Sequence, residues 1–70
     1  MTITVNGKEA QLPETANRTV DSLLEELDVA QQLYVTVELN GEILDRAVYE
    51  TSPVVEGDSI EFLYFMGGGF

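Results

Sequence analysis

The stretch Ser59-Ile60-Glu61-Phe62-Leu63-Tyr64-Phe65-Met66, running into Gly67-Gly68-Gly69-Phe70, decides how this chain folds. Alternation at period two places Ile60, Phe62, Tyr64 and Met66 on one face of a strand, with Glu61, Leu63 and Phe65 on the other. Apolar residues on both faces suit a strand in the middle of a sheet, or one whose outer face meets something. The turn Glu56-Gly57-Asp58 leads into it.

The other elements supply its neighbours. Ile3 and Val5 alternate with Thr2 and Thr4, and Asn6-Gly7 follows, a pair that tolerates the positive φ of a two-residue hairpin. Pairing across that turn sets Val5 against Lys8, Ile3 against Ala10 and Met1 against Leu12, which keeps Met1, Ile3, Ala10 and Leu12 on one face. Pro13 ends the second strand, and residues 14–18 read as a polar loop. Thr19 caps a helix that begins at Val20, where Val20, Leu23, Leu24 and Leu27 form one apolar stripe. Asp21, Glu25 and Glu26 fall on its solvent side. So short a helix needs a sheet to lie on.

Tyr34–Leu39 alternates again, with Val35, Val37 and Leu39 inward. Asn40-Gly41 is a second turn, followed by a short stretch at Ile43-Leu44. Residues 45–53 are irregular, with room for a helical turn near Val48-Tyr49. The expected fold is α+β: a mixed four- to five-stranded sheet with one main helix on one face, the early and late strands side by side in the middle. This is the β-grasp, ubiquitin-like arrangement. It assigns 1–66 to the domain and 67–70 to a glycine tail.

Composition narrows the chemistry. The chain has no cysteine and no histidine, which removes disulfides and thiolate or imidazole metal sites. No acidic run has calcium-loop spacing. Thirteen acidic residues against three basic ones give a net charge of −10, which repels nucleic acid and anionic bilayers and attracts a basic protein. The N-terminus lacks a signal-peptide pattern, and no apolar run approaches the roughly 20 residues of a membrane helix. The expected location is cytoplasmic. Lys8 is the sole lysine, and no nucleophile stands beside a base, so catalysis by this chain is not expected. Arg18 and Arg46 are expected in surface ion pairs. Tyr34, Tyr49 and Tyr64 read as packing residues with polar tips. Glu50, Glu56, Asp58 and Glu61 read as solvated positions, or as a charged rim for a basic partner.

Val5-Asn6-Gly7, the helix Thr19-Val20-Asp21-Ser22-Leu23-Leu24, Leu39-Asn40-Gly41-Glu42-Ile43, Glu56-Gly57-Asp58-Ser59-Ile60-Glu61 and the glycine tail together resemble the ThiS family of sulfur carriers. MoaD-like molybdopterin carriers and ubiquitin-like protein modifiers share the fold and fit these motifs less well. The resemblance implies a co-substrate, not an enzyme. A ThiF/MoeB-like adenylating enzyme uses ATP to join the terminal glycine carboxylate to AMP. A sulfur donor then displaces AMP and leaves a thiocarboxylate. No cofactor is bound by the carrier itself. The acceptor is a thiazole synthase of thiamin synthesis, or a sulfhydrylase making cysteine or homocysteine.

In this chain the implied attachment residue is Gly69, at the end of the arm Gly67-Gly68-Gly69. Glycines lack a Cβ, so such an arm passes a narrow channel that excludes side chains. Phe70 departs from the pattern. While it is present, the Gly69 carbonyl is locked in an amide, so the expected first step is removal of Phe70 by a peptidase, possible kinds including the JAMM metallopeptidases. Leu63 and Phe65 are expected to help a partner grip the body of the domain.

Overall fold

The computed structural model describes residues 1–64 of the protein. Five strands form one sheet: β1 (Thr2–Val5), β2 (Lys8–Gln11), β3 (Val35–Leu39), β4 (Glu42–Ile43) and β5 (Ser59–Tyr64), in the order β2-β1-β5-β3-β4. The last strand is therefore the middle one. It runs parallel to β1 and antiparallel to β3, so the sheet is mixed. One helix, α1 (Val20–Glu26), covers one face, and a single 3-10 turn spans Arg46–Val48.

The hairpin register is the one its turn demands: Val5 opposite Lys8 and Ile3 opposite Ala10. Met1 and Leu12 extend it by mutual backbone hydrogen bonds of 2.8 and 2.9 Å. Asn6 and Asn40 have φ of 50°, and the glycines after them lie at 82° and 88°, the left-handed pair that a tight turn between twisted strands requires.

At the start of α1 the Thr19 hydroxyl accepts from the Ser22 amide, and the Ser22 hydroxyl accepts from the Thr19 amide. This reciprocal cap satisfies two donors. Two more are taken by a loop: the amides of Val20 and Asp21 donate to the carbonyls of Ser52 and Tyr49 at 2.9 and 3.0 Å. The segment that looks irregular in sequence thus closes the helix N-terminus. It also sends Tyr49 into the core, where Tyr49 and the following Val54 join Ile3, Val20, Leu23, Leu24, Val35, Val37 and Ile60. Leu27, expected on the helical stripe, is the C-cap and half-buried.

Three expectations are corrected. Arg18 is no surface cation: it is only 3% exposed. Its guanidinium donates to both carboxylate oxygens of Glu26 at 2.7 and 2.8 Å and to the Pro13 carbonyl at 2.8 Å. Glu26 stays on the solvent side, and the buried guanidinium reaches out to it. Arg46 is in no ion pair among the described residues. It donates to the Val35 carbonyl at 2.6 Å and lies over the Tyr49 ring at 5.0 Å, while the Tyr49 hydroxyl accepts from the Val37 amide at 3.0 Å. Strand β4 is only two residues long, and these side chains occupy edge groups of β3 that it cannot reach. Tyr34 precedes β3 and stands 72% exposed, so it packs little.

Candidate functional site

The candidate site is the end of β5, from which the glycine segment continues. Local forces fix that strand along its length. Its core face sinks Ile60 completely and Phe62 in part, beside β1 and under the helix side of the sheet. Its backbone is held by both asparagine turns. Asn6 donates its amide to the Ile60 carbonyl at 2.9 Å, and its side-chain oxygen accepts from the Phe62 amide at 2.8 Å. Asn40 donates to the Ser59 carbonyl at 2.7 Å, and its side-chain oxygen accepts from the Ser59 amide at 2.8 Å. Its side-chain nitrogen donates to Asp58, whose other oxygen accepts from the Val55 amide. The asparagines were legible as turn formers. Their second task, gripping a strand far away in sequence, carries no local signal.

At the far end, Tyr64 pairs with Val35 and Leu63 with Thr36 across β3. The Tyr64 hydroxyl donates to the Ala30 carbonyl at 2.6 Å. Beside it an open groove of about 370 Å³ is lined by Val5, Ala10, Leu27, Val29, Phe62 and Tyr64, among others. Leu63 lies half-buried on the opposite face, the one α1 does not cover. Phe65, Gly67, Gly68, Gly69 and Phe70, named above as anchor, arm, attachment point and removable end, lie outside the described residues.

Electrostatically the surroundings are acidic. Among the described residues the ion pairs are those of the N-terminal ammonium with Glu14 and Arg18 with Glu26, away from this strand. The guanidinium of Arg18 holds the Glu26 carboxyl below its ordinary pKa through its hydrogen bonds, against the opposite pull of burial. Among the described residues no group of three His, Cys, Asp or Glu is placed to hold a metal, and no helix is long and apolar enough to cross a membrane. What this arrangement does is hold β5 in place up to Tyr64, the last described residue.

Comparison with known proteins agrees with this geometry. The chain is similar to the thiamine biosynthesis protein ThiS of Geobacter metallireducens, with 52% identity, 99% of this chain and 100% of that one covered, and a TM-score of 0.92 to its crystal structure. The solution structure of a Geobacter metallireducens thiamine biosynthesis protein matches with a TM-score of 0.79 at 51% identity, covering 100% of this chain and 90% of that one. The chain is also 39% identical, over 69 residues, to a thiazole synthase of Paramagnetospirillum magneticum. That match takes 99% of this chain but spans only 20% of the relative's length. A model of the ThiS family matches residues 3–69, ending on Gly69. Sheet order, helix placement and sequence converge, and the chain belongs to the ThiS family.

Proposed function

We propose that this protein is a sulfur carrier for thiamin synthesis and that Gly69 is its working residue. The observation that carries the pathway is the relative called a thiazole synthase, in which a segment like this whole chain makes up a fifth of one longer polypeptide. Covalent linkage is a permanent form of an association, and it raises the effective concentration of the two parts. The separate chain is read as serving a thiazole synthase in trans.

In this reading an adenylating enzyme transfers AMP from ATP to the Gly69 carboxylate and releases pyrophosphate. A sulfur nucleophile attacks the acyl carbon, the acyl–oxygen bond breaks, and AMP leaves. The product is a thiocarboxylate, with sulfur where one carboxylate oxygen stood. The carrier supplies no proton and no metal. It supplies reach, from the fixed end of β5 into a foreign cleft. An amide-bonded Gly69 has no carboxylate to activate, so Phe70 must be cut away first. A peptidase does this, and the JAMM metallopeptidases have suitable chemistry for it.

Phe70 also supports a second reading, in which the acceptor is a sulfhydrylase making cysteine or homocysteine. Acceptor competition separates the two. The thiocarboxylate form is offered to a thiazole synthase and to a sulfhydrylase from the same cell. Sulfur loss to the thiazole synthase alone supports the thiamin reading. Loss to the sulfhydrylase alone replaces it with the second. Isopeptide adducts on other proteins would instead make the chain a modifier.

A further inference from the structure

The open groove beside Tyr64, about 370 Å³ in volume, lies on the helix side of the sheet. Leu27 and Val29 line it from the segment that ends α1, Val5 and Ala10 from the hairpin, and Phe62 and Tyr64 from β5. Strand β1 stops at Val5, opposite Ile60, so beyond that point no strand flanks β5 on this side among the described residues. Lys8 stands two residues from Ala10 on β2 and therefore shares its face. It is exposed, and among the described residues it is in no ion pair. The hairpin thus offers the groove apolar contacts and a cation together.

We infer that the occupant of this groove is Phe70 of the same chain, with its ring against Leu27, Val29 and Phe62 and its carboxylate toward Lys8. The stretch that follows Tyr64 has the length and composition for this. By the period-two pattern Met66 would extend the face of Phe62 and Tyr64 outward, away from Val5, and Phe65 has the opposite parity. An apolar side chain reaches the groove only after the chain reverses. Gly67-Gly68-Gly69 is the stretch suited to reversal, because glycine accepts the backbone angles of tight turns. Three residues out and three back bring residue 70 level with Tyr64. In the 70-residue chain the carboxylate sits on Phe70, and Lys8 answers it on an otherwise acidic surface. A second copy would have to overcome a like charge of −10, whereas a ring on the same chain is already at high effective concentration. Ordering glycines opposes docking, so the contact is reversible. While it holds, the arm is folded back on the domain. Hydrolysis of the Gly69–Phe70 amide removes the ring, and the arm is released in the form whose Gly69 carboxylate can be activated. The inference rests on the sulfur-carrier reading only for that consequence.

The test follows methyl NMR spectra of the full chain at low and high protein concentration. The comparison chains are one ending at Gly69 and Ala30→Leu, which adds bulk to the groove from an exposed position. The expected result is nuclear Overhauser contacts from the Phe70 ring to the Leu27 or Val29 methyls, the same at both concentrations. Those methyls should shift in both comparison chains, while Ile43 on the far edge strand stays where it was. Carboxypeptidase A, which acts on the undocked end, should remove Phe70 at least about threefold faster from Ala30→Leu than from the parent. The same acceleration is expected at low salt from Lys8→Gln, an exposed change that keeps the trimming test valid should Ala30→Leu lose its fold. Identical groove shifts with and without Phe70, contacts that grow with concentration, contacts to Leu63 on the other face, or equal trimming of parent and folded variants would each overturn the inference. A chain that docks its ring by these criteria, yet whose Gly69-ended form never gains sulfur, would sink the sulfur-carrier reading and leave this one standing.

Discussion

The Tyr64 hydroxyl donates a 2.6 Å hydrogen bond to the carbonyl of Ala30, 34 residues earlier. It ties the end of the central strand to the segment that follows the helix. A swinging base would spread the arm over many positions and lower the fraction poised for reaction. Tyr64→Phe keeps the ring beside the groove and removes the bond. The expected loss is about 0.5–1.5 kcal/mol, read as a Tm lower by several degrees, with faster amide exchange concentrated at the end of β5. An unchanged Tm would show that the bond contributes nothing in solution.

The asparagine clamps make a second prediction. Asn6→Gly and Asn40→Gly keep the positive φ each turn needs and delete the side-chain oxygens that accept from Phe62 and Ser59. Each should cost about 1 kcal/mol, and hydrogen exchange should quicken at the Phe62 amide in the first variant and at the Ser59 amide in the second. Exchange that quickens equally at both sites would mean that the turns act only through global stability.

The pair of buried Arg18 with exposed Glu26 contributes to the acid response. Hydrogen bonding from Arg18 lowers the Glu26 pKa below the ordinary value of 4.5. A carboxyl depressed in the folded state binds its proton more readily when unfolded. Its stabilisation is therefore complete above about pH 4.5 and is lost as pH falls through the lower folded value. Glu26→Gln should flatten the fall of stability over that window and cost about 1–3 kcal/mol at neutral pH, because the guanidinium loses its charged partner. Urea unfolding at pH 7, 4.5 and 3 reads both effects. A variant with the same acid slope as the parent would contradict the role given to Glu26.

Much of the fold could be read from local pattern. The Asn6-Gly7 turn fixed the hairpin register, Thr19 fixed the helix start, and apolar residues on both faces of Ser59–Met66 pointed to a central strand. The remainder depends on contacts distant in sequence. Nothing in residues 45–53 announces that Tyr49 and Ser52 carbonyls close a helix, because backbone acceptors leave no residue signature. Arg18 and Arg46 look alike as lone cations, and only the folded chain shows one bonded to a carboxylate and the other to an open strand edge. Tyr34 continues the alternation of β3, yet the antiparallel ladder begins at Val35. Of the site itself, Leu63 has a described position, and the glycine arm rests on sequence pattern and on the family match that reaches residue 69.

The most direct measurement uses two chains, one stopping at Gly69 and one retaining Phe70, each incubated with the adenylating enzyme of the same cell, ATP and sulfide and then weighed intact. The account predicts that the shorter chain alone gains the mass difference between oxygen and sulfur, and that the gain disappears when ATP is left out. A chain ending at Gly69 that keeps its starting mass, or one still carrying Phe70 that gains sulfur, would contradict it.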